Sequence, residues 1–223
     1  MPIARRDCLL PLASVFSIPI GTTPKSIPKF SGESAVEQAE LLKFAIRVLE
    51  GLNIPYAIVG SFASGTWGES RFTQDIDILI EVLPARIDKL CDAFPSAEFY
   101  VSHAAAREAV ARRGQFNVIH PASGNKIDFM IASNEGWNKR QLERCKRVQL
   151  FADQDGAVAA PEDIIVGKLI YYQDGGSDKH LRDIAGILKI SGGSIDHAYL
   201  TSAVDQLGLA SLWQSVLNEI RHS

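Results

Sequence analysis

The sequence predicts an α/β (α+β) chain: a small mixed sheet interleaved with helices, followed by a C-terminal helical bundle. Three observations predict it. Short β-branched runs bounded by polar residues or glycine recur between residues 56 and 160. Apolar positions at helical spacing separate those runs. Beyond Ala160-Pro161 no further strand-like run follows, and glycines divide what remains into helical patterns. The expected organisation is a poorly ordered N-terminal arm over 1–31, an α/β domain over 32–160 and a helical domain over 161–223.

Val36, Ala39, Leu42, Ala45, Ile46 and Leu49 predict the first helix, with Gly51 as its stop. Residues 56–59 read as a short buried strand ending at Gly60-Ser61, and 75–82 as a second strand. Pro84 opens a helix with Ile87, Leu90, Cys91 and Phe94 on one face, and Ser102 caps another that ends at Gly114. Residues 116–120 and 126–132 are strand-like and joined by Pro-Ala-Ser-Gly-Asn, a hairpin loop. A polar helix is expected over 139–147. Residues 148–152 and 157–160 then flank Asp-Gln-Asp-Gly, a second hairpin signal. Helices are expected over 162–173, 178–190, 195–207 and 209–221.

Composition narrows the function. At 46% hydrophobic and 22% charged, the 223 residues can build a real core. With 23 Lys+Arg against 26 Asp+Glu the chain is no globally basic nucleic-acid binder. Cys8, Cys91 and Cys145 show no CxxC or Cys/His ligand spacing, so neither a disulfide framework nor a structural zinc site is indicated. Such thiols suit the reducing cytoplasm. No apolar run approaches the ~20 residues of a membrane span. Arg5, Arg6 and the apolar residues after them resemble a secretory leader, but Asp7, Pro11 and Pro19 interrupt it.

The chemistry concentrates between Gly60 and Asp77. Asp75 and Asp77 alternate with Ile76, so both project from one face of a strand. Paired carboxylates repel unless a cation lies between them, and hard oxygen ligands suit Mg²⁺. Asp128 sits within a later apolar strand, where an acid is costly unless paired or bound to metal. Gly60 lets backbone approach a ligand, the following helix start offers N–H groups to phosphate, and Ser61 adds a hydroxyl. Taken singly, Asp-x-Asp is ordinary turn chemistry, Gly-Ser a common turn and Asp128 an edge-strand acid. Their order joins them: strand, Gly-Ser, short helix, Asp-x-Asp strand, third strand acid. A phosphate cradle facing a two-metal carboxylate cluster suits phosphoryl or nucleotidyl transfer.

On these residues the chain resembles the polymerase-β-type nucleotidyltransferase superfamily. More narrowly, residues 60–80 with 161–169 and 179–184 resemble the AbiEii/AbiGii-toxin-like nucleotidyltransferases. The resemblance runs from about residue 37 to 190 and departs from the family pattern at Tyr171-Tyr172-Gln173-Asp174, where the family often has an Arg. It implies that Asp75, Asp77 and Asp128 hold Mg²⁺, with a two-ion site possible, and that Asp128 helps activate the acceptor. It implies that Gly60 and Ser61 hold a nucleoside triphosphate, with Arg71 and Thr73 also within reach of phosphate; Arg71 reads equally well as a surface residue. Lys168 and Asp183 match the family's C-terminal pair, Lys168 to neutralise phosphate and Asp183 to orient it or approach the acceptor. A plain helix-to-helix salt bridge between these two is an equal reading. The implied reaction moves a nucleoside monophosphate to a hydroxyl of an RNA, a protein or a small molecule. A toxin-like role with a neutralising protein partner, or a non-catalytic nucleotide-binding module, are further implications.

Two basic segments, Lys139/Arg140/Arg144/Lys146/Arg147 and Arg107/Arg112/Arg113, read as solvated helix faces or as RNA contacts. Trp67 either stacks a base or packs the loop closed. The five histidines show no ligand spacing.

Overall fold

The computed structural model describes residues 38–222 apart from 72 and 74. The expected N-terminal arm, Val36 and Cys8 lie outside the described residues. In chain order the elements are α1 (Gln38–Gly51), β1 (Tyr56–Ile58), α2 (Gly60–Trp67), β2 (Asp75–Ile80), α3 (Ile87–Asp92), β3 (Tyr100–Val101), α4 (His103–Arg112), β4 (Gln115–His120) and β5 (Asn125–Ile131). Then follow α5 (Trp137–Arg144), β6 (Lys146–Phe151), β7 (Gln154–Val158), α6 (Pro161–Gly175), α7 (Asp178–Ser191), α8 (His197–Gln206) and α9 (Ala210–His222). This is the mixed α/β class that the sequence predicts.

One seven-stranded sheet runs in the order β3-β4-β5-β2-β1-β7-β6. At its centre β2 lies parallel to β5 and antiparallel to β1. The alternation on β2 and β5 sets the two faces of the sheet. Ile76, Ile78 and Ile80 with Ile127, Phe129 and Ile131 are buried on one face. Phe129 there meets Phe94 and Phe116, and Phe44 of α1 packs on Phe94 and Phe99 at centroid distances of 5.6 and 5.4 Å. The other face carries the register pairs Asp75–Lys126, Asp77–Asp128 and Leu79–Met130. Over it lie α2, α5, α6 and α7. No helix among the described residues is long and apolar enough to cross a membrane.

Helix ends follow local chemistry. Ser102 accepts a hydrogen bond from the Ala105 N–H, and Asp196 accepts one from the Tyr199 N–H, capping α4 and α8. Gly176 ends α6 in the left-handed region.

The C-terminal part of the sheet differs from the expectation. Helix α5 stops at Arg144, and Lys146 and Arg147 belong to strand β6. Lys146 occupies an inward position, its ammonium 5.5 Å from the Trp67 ring, while Arg147 reaches out to Glu50 at 2.8 Å. Two basic residues thus complete a period-2 pattern that hydropathy alone does not reveal. The Asp-Gln-Asp-Gly segment is largely strand β7. A side chain at Gly156 would lie 2.6 Å from Leu150 Cδ1, so this glycine serves packing, not a turn. Strand β3 has two residues, too few for periodicity to show.

Helix α2 is locked to α7 through backbone contact. A Cβ at Gly68 would lie 2.7 Å from the Ile187 nitrogen and 2.8 Å from the Gly186 carbonyl carbon. Ser191 Oγ donates to the Trp67 carbonyl at 2.5 Å, and Trp67 Nε1 donates to the Ala159 carbonyl at 2.8 Å. Trp67 is therefore a buried packing residue. Since the obstacle at Gly68 is backbone, Gly68→Ala should force α2 and α7 apart and destabilise the fold by about 1–3 kcal/mol. Denaturant unfolding checks this; an unchanged midpoint would show that the two helices are not fixed by this contact.

Candidate active site

The site begins where β1 ends. Val59 N–H donates to the Asp77 carbonyl at 2.9 Å, which extends the β1–β2 pairing and sets Gly60 against Asp77. Gly60 has φ +64°, and a Cβ there would lie 2.6 Å from the Asp77 carboxyl carbon. Glycine is required twice over, by the backbone and by the carboxylate beside it. Helix α2 starts at this point, and no side chain caps its first N–H groups.

Three acids occupy the adjoining sheet face. Asp75 and Asp77 point the same way from β2, and Asp128 is the register partner of Asp77 on β5. Burial raises the Asp77 carboxyl above the ordinary carboxylate range, the neighbouring Asp128 charge adds to the rise, and Lys168 opposes it. No described residue donates a hydrogen bond to the Asp77 side chain. Lys126 Nζ lies 2.7 Å from Asp128 Oδ2 and 3.5 Å from Asp75 Oδ1. That hydrogen bond to Asp128 holds the ammonium above the usual lysine range.

Opposite stands a cationic wall built on one buried acid. Asp183 of α7 accepts from Lys168 Nζ at 2.6 Å and from Arg71 Nε at 2.8 Å, and Arg71 Nη2 donates on to Ser61 Oγ at 2.5 Å. Burial works to raise Asp183, but the hydrogen bonds from Arg71 and Lys168 overcome it and hold its carboxyl below the usual range. For Lys168 burial dominates and lowers the ammonium from its usual range, against the pull of Asp183.

A cleft of about 600 Å³ separates the two walls. Gly60, Ser61, Arg71, Thr73, Asp75, Asp77 and Lys168 all line it. Asp128 lies beside it under Lys126, and Asp183 lies behind the wall with its oxygens taken by Arg71 and Lys168. The plain helix-to-helix salt bridge exists, and Lys168 still faces the cleft.

Sequence reasoning passed over several lining residues. Leu79, Met130 and Ile164 give the cleft an apolar end, where Trp137 and Gln141 of α5 close it. Trp137 Nε1 is buried without a hydrogen-bond partner among the described residues. His180 Nδ1 is likewise unpartnered, its ring stacked on Tyr171, and burial with Lys168 and Lys179 nearby lowers its pKa. Lys126, beside the cleft, was passed over too, and it alone carried a signal, being two residues from Asp128 on the same strand face. Beneath the cleft Arg144 pairs with Glu162 at 3.0 Å and Asp163 at 3.2 Å, and its guanidinium lies 3.5 Å from the Tyr199 ring.

The donor set fits a hard divalent cation. Asp77 has no donor among the described residues, its neighbours are acids, and an ammonium already lies between Asp75 and Asp128. Among the described residues no three His, Cys, Asp or Glu side chains form a group that could hold a metal ion. Mg²⁺ needs no such group, since it takes one or two carboxylates and completes its shell with water and substrate phosphate.

No protein-family model and no curated protein matches the sequence. Solved structures do. ANT(2″)-Ia, in complex with adenylyl-2″-tobramycin, is 14% identical over 76% of this chain and 98% of its own, with a TM-score of 0.54. An antigenic nucleotidyltransferase-like protein from Paracoccidioides brasiliensis is 21% identical over 80% of this chain and 90% of its own, with a TM-score of 0.49. The likeness to ANT(2″)-Ia is one of fold.

The two partners of the buried bridge should respond unequally to removal. Asp183→Asn takes the shared carboxylate from both Lys168 and Arg71 and should cost about 3–5 kcal/mol. Lys168→Met leaves Asp183 its Arg71 partner and should cost clearly less. Because the folded Asp183 pKa is depressed, its contribution is present above the ordinary carboxylate value of about 3.9 and is lost as the pH falls through the lower folded value. Denaturant unfolding between pH 7 and 3 should therefore show a flatter acid limb for Asp183→Asn. Equal costs for the two variants would contradict the assignment of Asp183 as the shared anchor.

Proposed function

We propose that this protein is a metal-dependent nucleotidyltransferase that moves a nucleoside monophosphate from a nucleoside triphosphate to a hydroxyl of a small-molecule acceptor. The observation that carries the reading is the register pairing of Asp77 with Asp128, with Asp75, Asp77, Gly60, Ser61 and Lys168 lining one cleft. Asp75, Asp77 and Asp128 would hold Mg²⁺. When bound, the metal supplies polarisation of the transferred phosphoryl group and neutralisation of charge on the leaving pyrophosphate.

The chain's own residues do the rest. N–H groups at the start of α2 and the Ser61 hydroxyl bind the terminal phosphates. Lys168 and Arg71, aimed by Asp183, balance the negative charge that builds on the leaving group. An Asp128 oxygen takes the proton of the acceptor hydroxyl. The apolar end, with Leu79, Met130 and Trp137, excludes water and orients the acceptor.

Two observations support a small acceptor over RNA. The cleft is of small-molecule size. Five of the eight basic residues that suggested an RNA surface are paired with local acids: Arg107 with Asp88, Arg112 with Glu108, Lys139 with Glu143, Arg144 with Glu162 and Asp163, Arg147 with Glu50. ANT(2″)-Ia, the structural neighbour solved with adenylyl-2″-tobramycin, holds an adenylylated small molecule, which points the same way. The AbiEii-like assignment, with its toxin-like role and neutralising partner, rests on the sequence resemblance alone.

The test is incubation with each labelled nucleoside triphosphate and Mg²⁺, with hydroxyl-bearing antibiotics and total RNA offered as acceptors. Label should move to a small molecule with release of pyrophosphate. Asp77→Asn should lower the rate by about 10²–10³-fold or more while leaving the fold intact. Ser61→Ala should weaken the triphosphate more than the monophosphate. Label on RNA would overturn the acceptor class. Tight nucleotide binding in EDTA, indifferent to Asp75→Asn and Asp77→Asn, would replace the enzyme with a nucleotide-binding module.

A further inference from the structure

We propose that Lys126 is the resident cation of the carboxylate cluster: its ammonium holds Asp75 and Asp128 together in the ligand-free protein and must leave when a divalent cation binds. The inference rests on the metal-binding reading above and adds a residue that opposes it. Position supplies the first argument. Lys126 is the register partner of Asp75 and stands two residues before Asp128 on the same strand, so it faces both acids from one face of the sheet. Of the β2–β5 pairs on that face it contributes the single cation.

Stoichiometry supplies the second argument. Asp128 Oδ2 accepts a hydrogen bond from the ammonium at 2.7 Å. A metal ion on that oxygen and an ammonium at that distance exclude each other, by charge and by space. Arg71 and Lys168, also near the cluster, are anchored on Asp183 and do not take this place. The third argument is access. The Lys126 side chain is 36% exposed and that of Asp128 17%, so the ammonium sits on the solvent side of the pair and can swing out without crossing the core.

Lys126 therefore acts in two opposed ways. It relieves repulsion among the acids in the empty protein, and it competes with the metal for them. A divalent ion arriving alone has to displace it. An ion arriving with a triphosphate brings phosphate oxygens of its own and gains more than the displacement costs.

Manganese alone, followed by electron paramagnetic resonance of the free ion, tests this on the full chain. Lys126→Met keeps the aliphatic stem and removes the charge. It should bind Mn²⁺ about 5- to 10-fold more tightly than the parent protein. It should also melt at a lower temperature without metal and regain that loss with Mn²⁺. Lys126→Arg keeps a cation and should stay within about twofold of the parent in Mn²⁺ affinity. Asp77→Asn, added to Lys126→Met, should abolish the gain. Unchanged or weaker Mn²⁺ binding in a folded Lys126→Met, or a gain that survives Asp77→Asn, would overturn the role of Lys126 and leave the metal reading standing. Binding of Mn²⁺ by none of the proteins, with or without a non-hydrolysable nucleoside triphosphate, would overturn both.

Discussion

Asp77 and Asp128 stand opposite one another on neighbouring parallel strands at the middle of the sheet, and the surrounding structure is arranged around that enforced proximity. Like charges on adjacent strands, ~5 Å apart, repel by about 3 kcal/mol at an effective dielectric constant near 20. The pairing persists because the reverse face outweighs it. Ile76, Ile78 and Ile80 and their partners Ile127, Phe129 and Ile131 are buried there, each worth roughly 1.5–3 kcal/mol. A one-residue slip of β2 would turn its three isoleucines toward the cleft and Asp75 and Asp77 into the core. The core thus fixes the register, and the register brings the acids together.

The neighbours of the acids follow from the same constraint. Only glycine fits at position 60, because Asp77 fills the space a side chain would need and the backbone there is left-handed. Lys126 sits where the acids need a cation. Lys168 approaches from α6 at some cost to its own charge, held by Asp183. The close contact of Gly68 with Gly186 and Ile187 sets α7, and with it Asp183, at the height of Arg71 and Ser61. Helices distant in sequence are in this way tied to the position of one strand.

What the sequence shows and what it hides divide along physical lines. Period-2 alternation with isoleucine exposed β2 and β5 and placed Asp75 and Asp77 on one face, while the pairing of β2 with β5 that brings Asp128 to them is tertiary. The left-handed glycine before Ser61 was legible as a strand-to-helix turn. The β6–β7 hairpin was displaced because two of its signals carry double meanings. Lys146 packs its stem inward although it is charged, and Gly156 is small to admit Leu150 and Ile46. Strand β3 exists through pairing with β4, a tertiary cause with no local trace. The aromatic and amide residues of α5 that close the cleft lay in a segment read for its basic charge. Arg71 gave no hint of its partner 112 positions away. Local pattern encodes faces and turns; it does not encode which helix lands over which face.

The cleft is polarised, and its polarity specifies what it can hold. Its sheet wall bears Asp75 and Asp77, with Asp128 and the Lys126 ammonium beside them. Opposite, Arg71, Lys168 and Lys179 line it together with Asp163, and Asp183 lies behind them. A bare triphosphate is attracted by one wall and repelled by the other. A bare divalent cation meets the reverse, with the Lys126 ammonium already between Asp75 and Asp128. A ligand whose cationic end faces the sheet and whose anionic end faces the helices satisfies both walls at once, and a metal–triphosphate complex has that form. On the proposed function each component would raise the affinity of the other by the same factor, because the linkage is a property of the filled cleft and not of either ligand.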